Sequence, residues 1–367
     1  MKIIADQNMP LVEQLFAQYG DVKLLPGRAI TSEDLVDAEL LLVRSVTRVD
    51  RQLLEGTGVR FVGSATIGTD HIDLDYLAEA GIQFAHAPGC NAEAVVQYDL
   101  SVMAELMPQW RCKKVGIVGC GNVGGRLYRR LCDLGVNCAV YDPLLEAGTI
   151  ADLGNLAAVL TCDIICLHTP LTTAGDYPSH HLFDAEVLAS LKPDVLLINA
   201  GRGAVIDNQA LLEAFKGGFK AQVALDVWET EPAVDRNLMD YVAIATPHIA
   251  GYSLEGKVRG TEMVHKAFRH WAGLADFQSN PQASLHSSKA EAVLQVSNIN
   301  QAIFHSYSVV EDDQRMRSAM ADTAIPVAQS FDNLRRTYPV RREFGYYAID
   351  PNGQCAEDCS RLGFTIL

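Results

Sequence analysis

Two periodicities alternate along residues 1 to about 90. Residues 2–5, 22–25, 39–43, 60–63 and 82–85 are short apolar runs that read as strands, and 10–19, 32–37, 50–55 and 74–80 carry helical spacing between them. Alternation of this kind predicts a parallel sheet with helices on both faces. A helix over 91–106 follows, with Asn91 as its N-cap and Ala94, Val95, Leu100, Val102, Met103 and Leu106 as apolar surface. A second alternating series then begins. Its strands are predicted at 114–118, 136–141, 163–167, 195–199, 223–227 and 242–245, and its helices up to Leu134, over 185–191 and over 208–215.

A helix from 255 to about 275 returns to the first unit, which is therefore discontinuous. Ser, Gln and Asn around 277–281 suit a linker. Beyond it, strands are expected at 306–310, 345–349 and 364–367 and helices at 312–320 and 327–336. The predicted class is α/β: two doubly wound parallel-sheet (Rossmann-like) lobes plus a small C-terminal α+β domain. The expected boundaries are 1–92 with 255–280, 93–254, and 281–367.

The run 114–118 turns directly into Gly119-Cys120-Gly121-Asn122-Val123-Gly124, and Leu127, Leu131 and Leu134 continue it as a helix. If a dinucleotide lies here, Gly119 makes the tight turn, Gly121 lets the backbone approach the pyrophosphate, and Gly124 lets the helix pack on the strand. The N–H groups of the first turn, Asn122 and Val123 among them, then face the phosphates. Asp142 stands 21 residues beyond Gly121, where a carboxylate accepts from both ribose hydroxyls. It would repel a 2′-phosphate, and no Arg follows it in Pro143-Leu144-Leu145-Glu146, so the expected cofactor is NAD and not NADP.

Composition narrows the classes. The 367 residues are 49% hydrophobic and 20% charged, with 30 basic against 45 acidic side chains and a net charge of −15. That field disfavours nucleic acid and anionic membranes as partners. No apolar run approaches the roughly 18 residues of a membrane span and no signal-peptide pattern opens the chain, so a cytoplasmic protein with reduced thiols is expected. The nine cysteines are an odd number, and Cys355 and Cys359 have no second Cys/His pair at zinc-like spacing, so no metal is expected.

Three polar residues follow predicted strands of the second series: Arg202, Glu231 and His248. Oxidation of a hydroxyl-bearing carbon needs a base for the hydroxyl proton, and His titrates nearest neutrality. A carboxylate beside it favours the imidazolium, and an arginine fork pairs with a substrate carboxylate in two parallel bonds. Together they make a 2-hydroxy-acid site. In the first series, Arg44-Ser45-Val46-Thr47-Arg48 and Ser64-Ala65-Thr66-Ile67-Gly68-Thr69-Asp70 read either as an anion pocket or as plain turns.

The chain resembles the D-isomer-specific 2-hydroxyacid dehydrogenases over residues 1 to about 280. The resemblance rests on Gly68-Thr69-Asp70-His71-Ile72-Asp73, Asn91-Ala92-Glu93-Ala94-Val95, the glycine turn, and His168-Thr169-Pro170-Leu171-Thr172. Asn199-Ala200-Gly201-Arg202-Gly203, Ala224-Leu225-Asp226-Val227-Trp228-Glu229 and Thr246-Pro247-His248-Ile249-Ala250-Gly251 complete it. It implies a flavodoxin-like substrate-binding domain and an NAD-binding domain. Arg202 is the implied substrate clamp, Glu231 the partner of His248, and His248 the proton acceptor or donor; Thr169, Asp226 and Gly251 line the NAD site.

Within the family the loops match a branch acting on a small phosphorylated hydroxy acid, which implies Ser45, Thr66 and Tyr252 as substrate contacts. In that branch the C-terminal domain is a dimerisation module, so a homodimer is implied. Arg335-Arg336 and Arg341-Arg342 are cationic pairs in an acidic chain, and one pair is a candidate to reach the phosphate from a partner subunit.

Overall fold

The computed structural model describes residues 1–274, 292–350 and 355–367. These divide into two compact units, one of Met1–Asn91 with the stretch 253–274, the other of Ala92–Tyr252 with the described residues from 292 onward. The expected linker at 277–281 lies outside the described residues.

The first unit is a five-stranded parallel sheet of β1 (Lys2–Asp6), β2 (Asp21–Leu25), β3 (Leu40–Val43), β4 (Phe61–Ser64) and β5 (Gln83–His86), in the order β2-β1-β3-β4-β5. The central strand β3, Leu40 to Val43, is buried at every position, as expected when helices cover both faces. On one face Ile4, Leu41, Val43 and Val62 pack against Leu35, Leu54, Tyr76 and Leu77. On the other, Ile3, Leu40, Leu42 and Phe61 meet Phe16, Val264 and Phe268. Val264 and Phe268 belong to the helix Leu254–Trp271, whose first turn is capped by Ser253 Oγ accepting from Gly256 N–H at 2.9 Å. That helix lies close because Gly260 has no Cβ: an added one would stand 2.9 Å from the Ala65 carbonyl oxygen.

The second unit is built on a six-stranded parallel sheet. Its strands are β6 (Val115–Val118), β7 (Cys138–Tyr141), β8 (Ile164–Leu167), β9 (Leu196–Asn199), β10 (Gln222–Leu225) and β11 (Ile244–Ala245), in the order β11-β10-β9-β8-β6-β7. A single parallel bridge from Val140 to Leu153 sits beyond β7 as a vestigial further strand. The order reverses at β6, between β7 and β8, and such a switch point opens a crevice beyond the strands' carboxyl ends. The helix Ala92–Leu106 is buried at all but its last positions and belongs to the core of this unit. Asn91 does not cap it: the side-chain oxygen is buried without a hydrogen-bond partner.

The C-terminal residues carry a three-stranded parallel sheet of β12 (Ala292–Leu294), β13 (Tyr347–Ile349) and β14 (Thr365–Ile366). Their helices are Ile299–Ser306, Val309–Ala321, Val327–Arg336 and Ala356–Leu362. The strand expected at 306–310 is absent; those residues end one helix and start the next. The Ser-Tyr-Ser-Val-Val alternation imitates a strand, but Val309 N–H donates to Ser101 Oγ at 3.1 Å, so a tertiary contact and not a ladder holds the extended link. Ile299, Ile303, Val309 and Phe344 share one core with Leu100 and Met103, and Met316, Met320 and Phe331 share another with Val242 and Leu238.

Candidate active site

Arg202, Glu231 and His248 leave the carboxyl ends of β9, β10 and β11, three adjacent strands held in register by Leu225 opposite both Asn199 and Ala245. The chain must then bring their loops together. Gly203 permits it, because a Cβ there would lie 2.0 Å from the backbone carbon of Trp228. Trp228 N–H in turn donates to Glu231 Oε2 at 3.3 Å.

His248 Nδ1 and Glu231 Oε1 are 2.6 Å apart, with both side chains a little over one quarter exposed. Burial pushes the Glu231 carboxyl up, but the charge and hydrogen bond of His248, with Arg335 and the Trp228 N–H behind them, hold it below the usual carboxylate range. The pair therefore fixes the ring through Nδ1 and leaves Nε2 as the end that can exchange a proton. Arg202 is half-buried, and its Nη1 donates to the Gly201 carbonyl at 2.9 Å while its own carbonyl accepts from Asn199 Nδ2 at 2.9 Å.

Asp226 is 1% exposed and frames the loop that carries His248. Its Oδ1 accepts from Thr246 Oγ1 at 2.7 Å and from Ile249 N–H at 2.8 Å, its Oδ2 from Ala250 N–H at 2.9 Å, and its carbonyl from His248 N–H at 2.7 Å. His248 itself has φ of 56°, a left-handed conformation uncommon outside glycine, which these bonds hold in place. Gly251 lies in the turn that follows, closed by Tyr252 N–H on the Ile249 carbonyl at 2.8 Å. Sequence reasoning placed Asp226 beside the cofactor and did not anticipate that its carboxylate is occupied in holding the histidine loop.

The glycine turn is built as expected of a nucleotide cradle. Gly119 has φ of +86°, and a Cβ there would stand 2.8 Å from Thr169 N; a Cβ on Gly124 would stand 1.9 Å from the Gly119 carbonyl oxygen. Gly121 faces open space, Asn122 is exposed and Val123 half-buried at the start of the helix Gly124–Asp133. Asp142 is tied to the turn, its Oδ2 accepting from Cys120 N–H at 2.8 Å and its Oδ1 from Leu144 N–H at 3.1 Å. At the end of β8, Thr169 Oγ1 is buried with no hydrogen-bond partner, a donor awaiting an acceptor. An open glycine face, a helix start, a carboxylate and an orphaned hydroxyl around one switch point fit a dinucleotide.

In the first unit, Ser45 is exposed in the turn after β3. Thr66 Oγ1 lies 2.7 Å from Ser64 Oγ and donates to the Gly68 carbonyl at 3.1 Å, so its loop is ordered by its own hydroxyls. Tyr252 is half-buried in the second unit, where its hydroxyl accepts from Arg335 Nε at 3.2 Å.

The C-terminal arginines divide sharply. Arg341, a candidate for a partner's phosphate, is buried and spent inside its own chain. It donates to the carbonyls of Ala94, Ile249 and Ala250 and to Gln97 Oε1, and its guanidinium lies 3.9 Å from the centre of the Tyr307 ring. That expectation is corrected for Arg341, which bolts the segment just after His248; no sequence pattern distinguishes such a bolt from a surface cation.

Two further pairs escaped sequence reasoning. His168 Nε2 and the Asp99 carboxylate are buried 3.0 Å apart; burial raises the Asp99 carboxyl against the opposing pull of His168. His181, at φ of 52°, bridges Glu229 at 2.7 Å and Asp207 at 3.6 Å, and with His180 and Glu229 brings three ligand-type atoms within 4.8 Å of one another. Cys359, by contrast, is a buried thiol pushed up to about 12 by burial and then by Cys355.

Comparison with known proteins agrees with this geometry. Residues 94–250 match a family model described as "D-isomer specific 2-hydroxyacid dehydrogenase, NAD binding domain", and residues 281–363 match one described as a domain of unknown function, DUF3410. The chain is 46% identical to an erythronate-4-phosphate dehydrogenase of Teredinibacter turnerae, over 100% of this chain and 99% of that one. It is 47% identical to one of Marinobacter nauticus, over 96% and 95%. Among solved structures, D-lactate dehydrogenase from Aquifex aeolicus, complexed with NAD and lactic acid, shares the fold at a TM-score of 0.65 and 22% identity, covering 74% of this chain and 96% of that one. Full-length similarity to these dehydrogenases, on a sheet whose switch point suits NAD, places the chain in the D-isomer-specific 2-hydroxyacid dehydrogenase family, as an NAD-dependent oxidoreductase acting on a CH–OH group.

Proposed function

We propose that the chain oxidises 4-phospho-D-erythronate at C2 to (R)-3-hydroxy-2-oxo-4-phosphooxybutanoate, a step of pyridoxal 5′-phosphate biosynthesis. The observation that carries this reading is the 2.6 Å link from His248 Nδ1 to Glu231 at the carboxyl edge of the sheet that holds the glycine turn, together with relatives named for that activity along their whole length. Bound NAD supplies the hydride acceptor.

The protein's own residues do the rest. Arg202 clamps the substrate carboxylate and orients C2. His248 Nε2 takes the hydroxyl proton as the C2 hydrogen departs with its electron pair, so the carbon becomes a carbonyl. Glu231, kept ionised, favours the imidazolium that results. Ser45, Thr66 and Tyr252 are proposed as further substrate contacts, and Gly119, Gly121, Asn122, Val123, Gly124, Asp142, Thr169, Asp226 and Gly251 as the cofactor's surroundings. A cytoplasmic homodimer, paired through residues 281–367, completes the proposal.

The test is spectrophotometric. Purified protein with NAD should form NADH with 4-phosphoerythronate far faster than with 3-phosphoglycerate, and His248→Ala should abolish turnover while NAD still binds. Faster turnover of 3-phosphoglycerate would overturn the substrate assignment; NAD binding with no turnover of any hydroxy acid would favour a cofactor-sensing role.

A further inference from the structure

Arg335 lies in the last turn of the helix Val327–Arg336 and is half-buried. Its Nε donates to Tyr252 Oη at 3.2 Å, and the guanidinium carbon lies 5.8 Å from the Tyr252 ring centre and 5.9 Å from that of Phe331. Those contacts aim the planar fork, yet among the described residues its two terminal nitrogens have no hydrogen-bond partner. The Glu231 carboxylate, and Asp226 more weakly, act on it electrostatically without a hydrogen bond to it. Arg336 beside it is exposed and turned back onto Asn333 Oδ1 at 3.1 Å. Arg335 is thus an oriented cation with both ends of its fork open, placed by the C-terminal segment next to the proton-transfer pair of the same chain.

From this geometry we propose that Arg335 and Tyr252 form an anion subsite for the phosphate end of the substrate, so that the C-terminal segment completes the active site within one chain. The inference rests on the phosphorylated hydroxy-acid reading above and deepens it. An anion entering a protein of net charge −15, close to the Glu231 carboxylate, needs a local counter-charge. A guanidinium held through Nε by Tyr252 offers two parallel N–H donors to phosphate oxygens. Arg202 takes the carboxylate at one end of a four-carbon acid, and Arg335 the phosphate at the other.

The test uses full-length protein saturated with NAD and reads binding before turnover. By calorimetry, wild-type protein should bind 4-phosphoerythronate more tightly than erythronate, and Arg335→Ala should lower that preference by roughly 10- to 100-fold, the scale of a lost charge-assisted hydrogen-bond pair. Arg335→Lys should keep part of the preference, and Arg336→Ala all of it. In steady-state assays the Arg335→Ala loss should appear chiefly in KM for the phosphorylated acid. An Arg335→Ala protein that retains the phosphate preference, or weakens both acids equally with kcat falling for each, would overturn the subsite and leave Arg335 as a support for Glu231. Binding without NADH formation from either acid would defeat the proposed reaction instead, and the phosphate preference would still decide the subsite.

Discussion

Asp226 Oδ1 accepts the Ile249 N–H at 2.8 Å, one residue beyond His248, and Oδ2 accepts the Ala250 N–H at 2.9 Å. A buried carboxylate therefore dictates the path of the loop that presents the His248 imidazole. In Asp226→Asn an amide N–H would face a backbone N–H, and one donor would lose its acceptor. Stability should fall by about 1–3 kcal/mol in a denaturant titration, and kcat should fall with it while the protein remains folded.

Glu231 is the complementary case, because its carboxyl is held below the usual range against the upward push of burial, by His248 first and Arg335 after it. A depressed folded value means that this group's stabilising contribution is present above the ordinary carboxyl value and is lost as pH falls through the lowered one. Activity should therefore keep its ionised Glu231 into mildly acid solution. Glu231→Gln should lower kcat on the order of 100-fold, which single-turnover kinetics would separate from any change in NAD binding.

His265 predicts a pH response in the first unit. Burial, then the neighbouring charge of Arg269, lowers it from the ordinary 6.5 to about 4, and its ring sits 5.1 Å from that of Phe16 and hydrogen-bonds the Tyr19 hydroxyl at 3.2 Å. The unfolded chain takes up this proton first, so stability should decline as pH falls from about 6.5 and level off below about 4. The full loss is about 3 kcal/mol. His265→Gln should flatten that slope in urea melts between these limits.

The glycine turn separates folding from binding. Gly124→Ala drives a methyl to 1.9 Å from the Gly119 carbonyl oxygen, so the helix must shift and the protein should lose several kcal/mol, about 3 or more. Gly121→Ala meets nothing within 4 Å. Its melting temperature should match wild type, while NAD affinity falls roughly tenfold or more, since a methyl would stand where the pyrophosphate approaches. Equal NAD affinity in Gly121→Ala would contradict this placement of the cofactor.

Arg341→Ala removes the donors that serve the carbonyls of Ala94, Ile249 and Ala250. Buried acceptors left bare cost about 1–3 kcal/mol together with lost packing on Tyr307. Thermal unfolding should register this loss, and kcat should drop as the loop after His248 loosens, with KM for the phosphate end little affected.

Much of the fold was legible because its determinants are local. Apolar runs such as Leu40 to Val43 are too short for helices and too uniformly apolar for an exposed sheet, and Gly119 and Gly124 carry backbone requirements that no other residue meets so readily. The placement of Arg202, Glu231 and His248 was legible because each follows a strand whose carboxyl end a parallel sheet places at one edge. The link at 306–310 was misread because local alternation there is overridden by contacts such as Val309 with Ser101, 208 positions apart.

By itself the sequence determined the two strand–helix series, the glycine turn and the identity of the chemical groups, since these depend on side-chain period, glycine placement and residue type within a few positions. Only the tertiary structure decided which groups are spent and which are open. Asp226 is occupied by the histidine loop, Arg341 by backbone carbonyls, and Arg335 holds Tyr252 with its fork unused. Whether a charged side chain binds a ligand or its own chain depends on acceptors tens or hundreds of residues away, and that proximity is a property of packing.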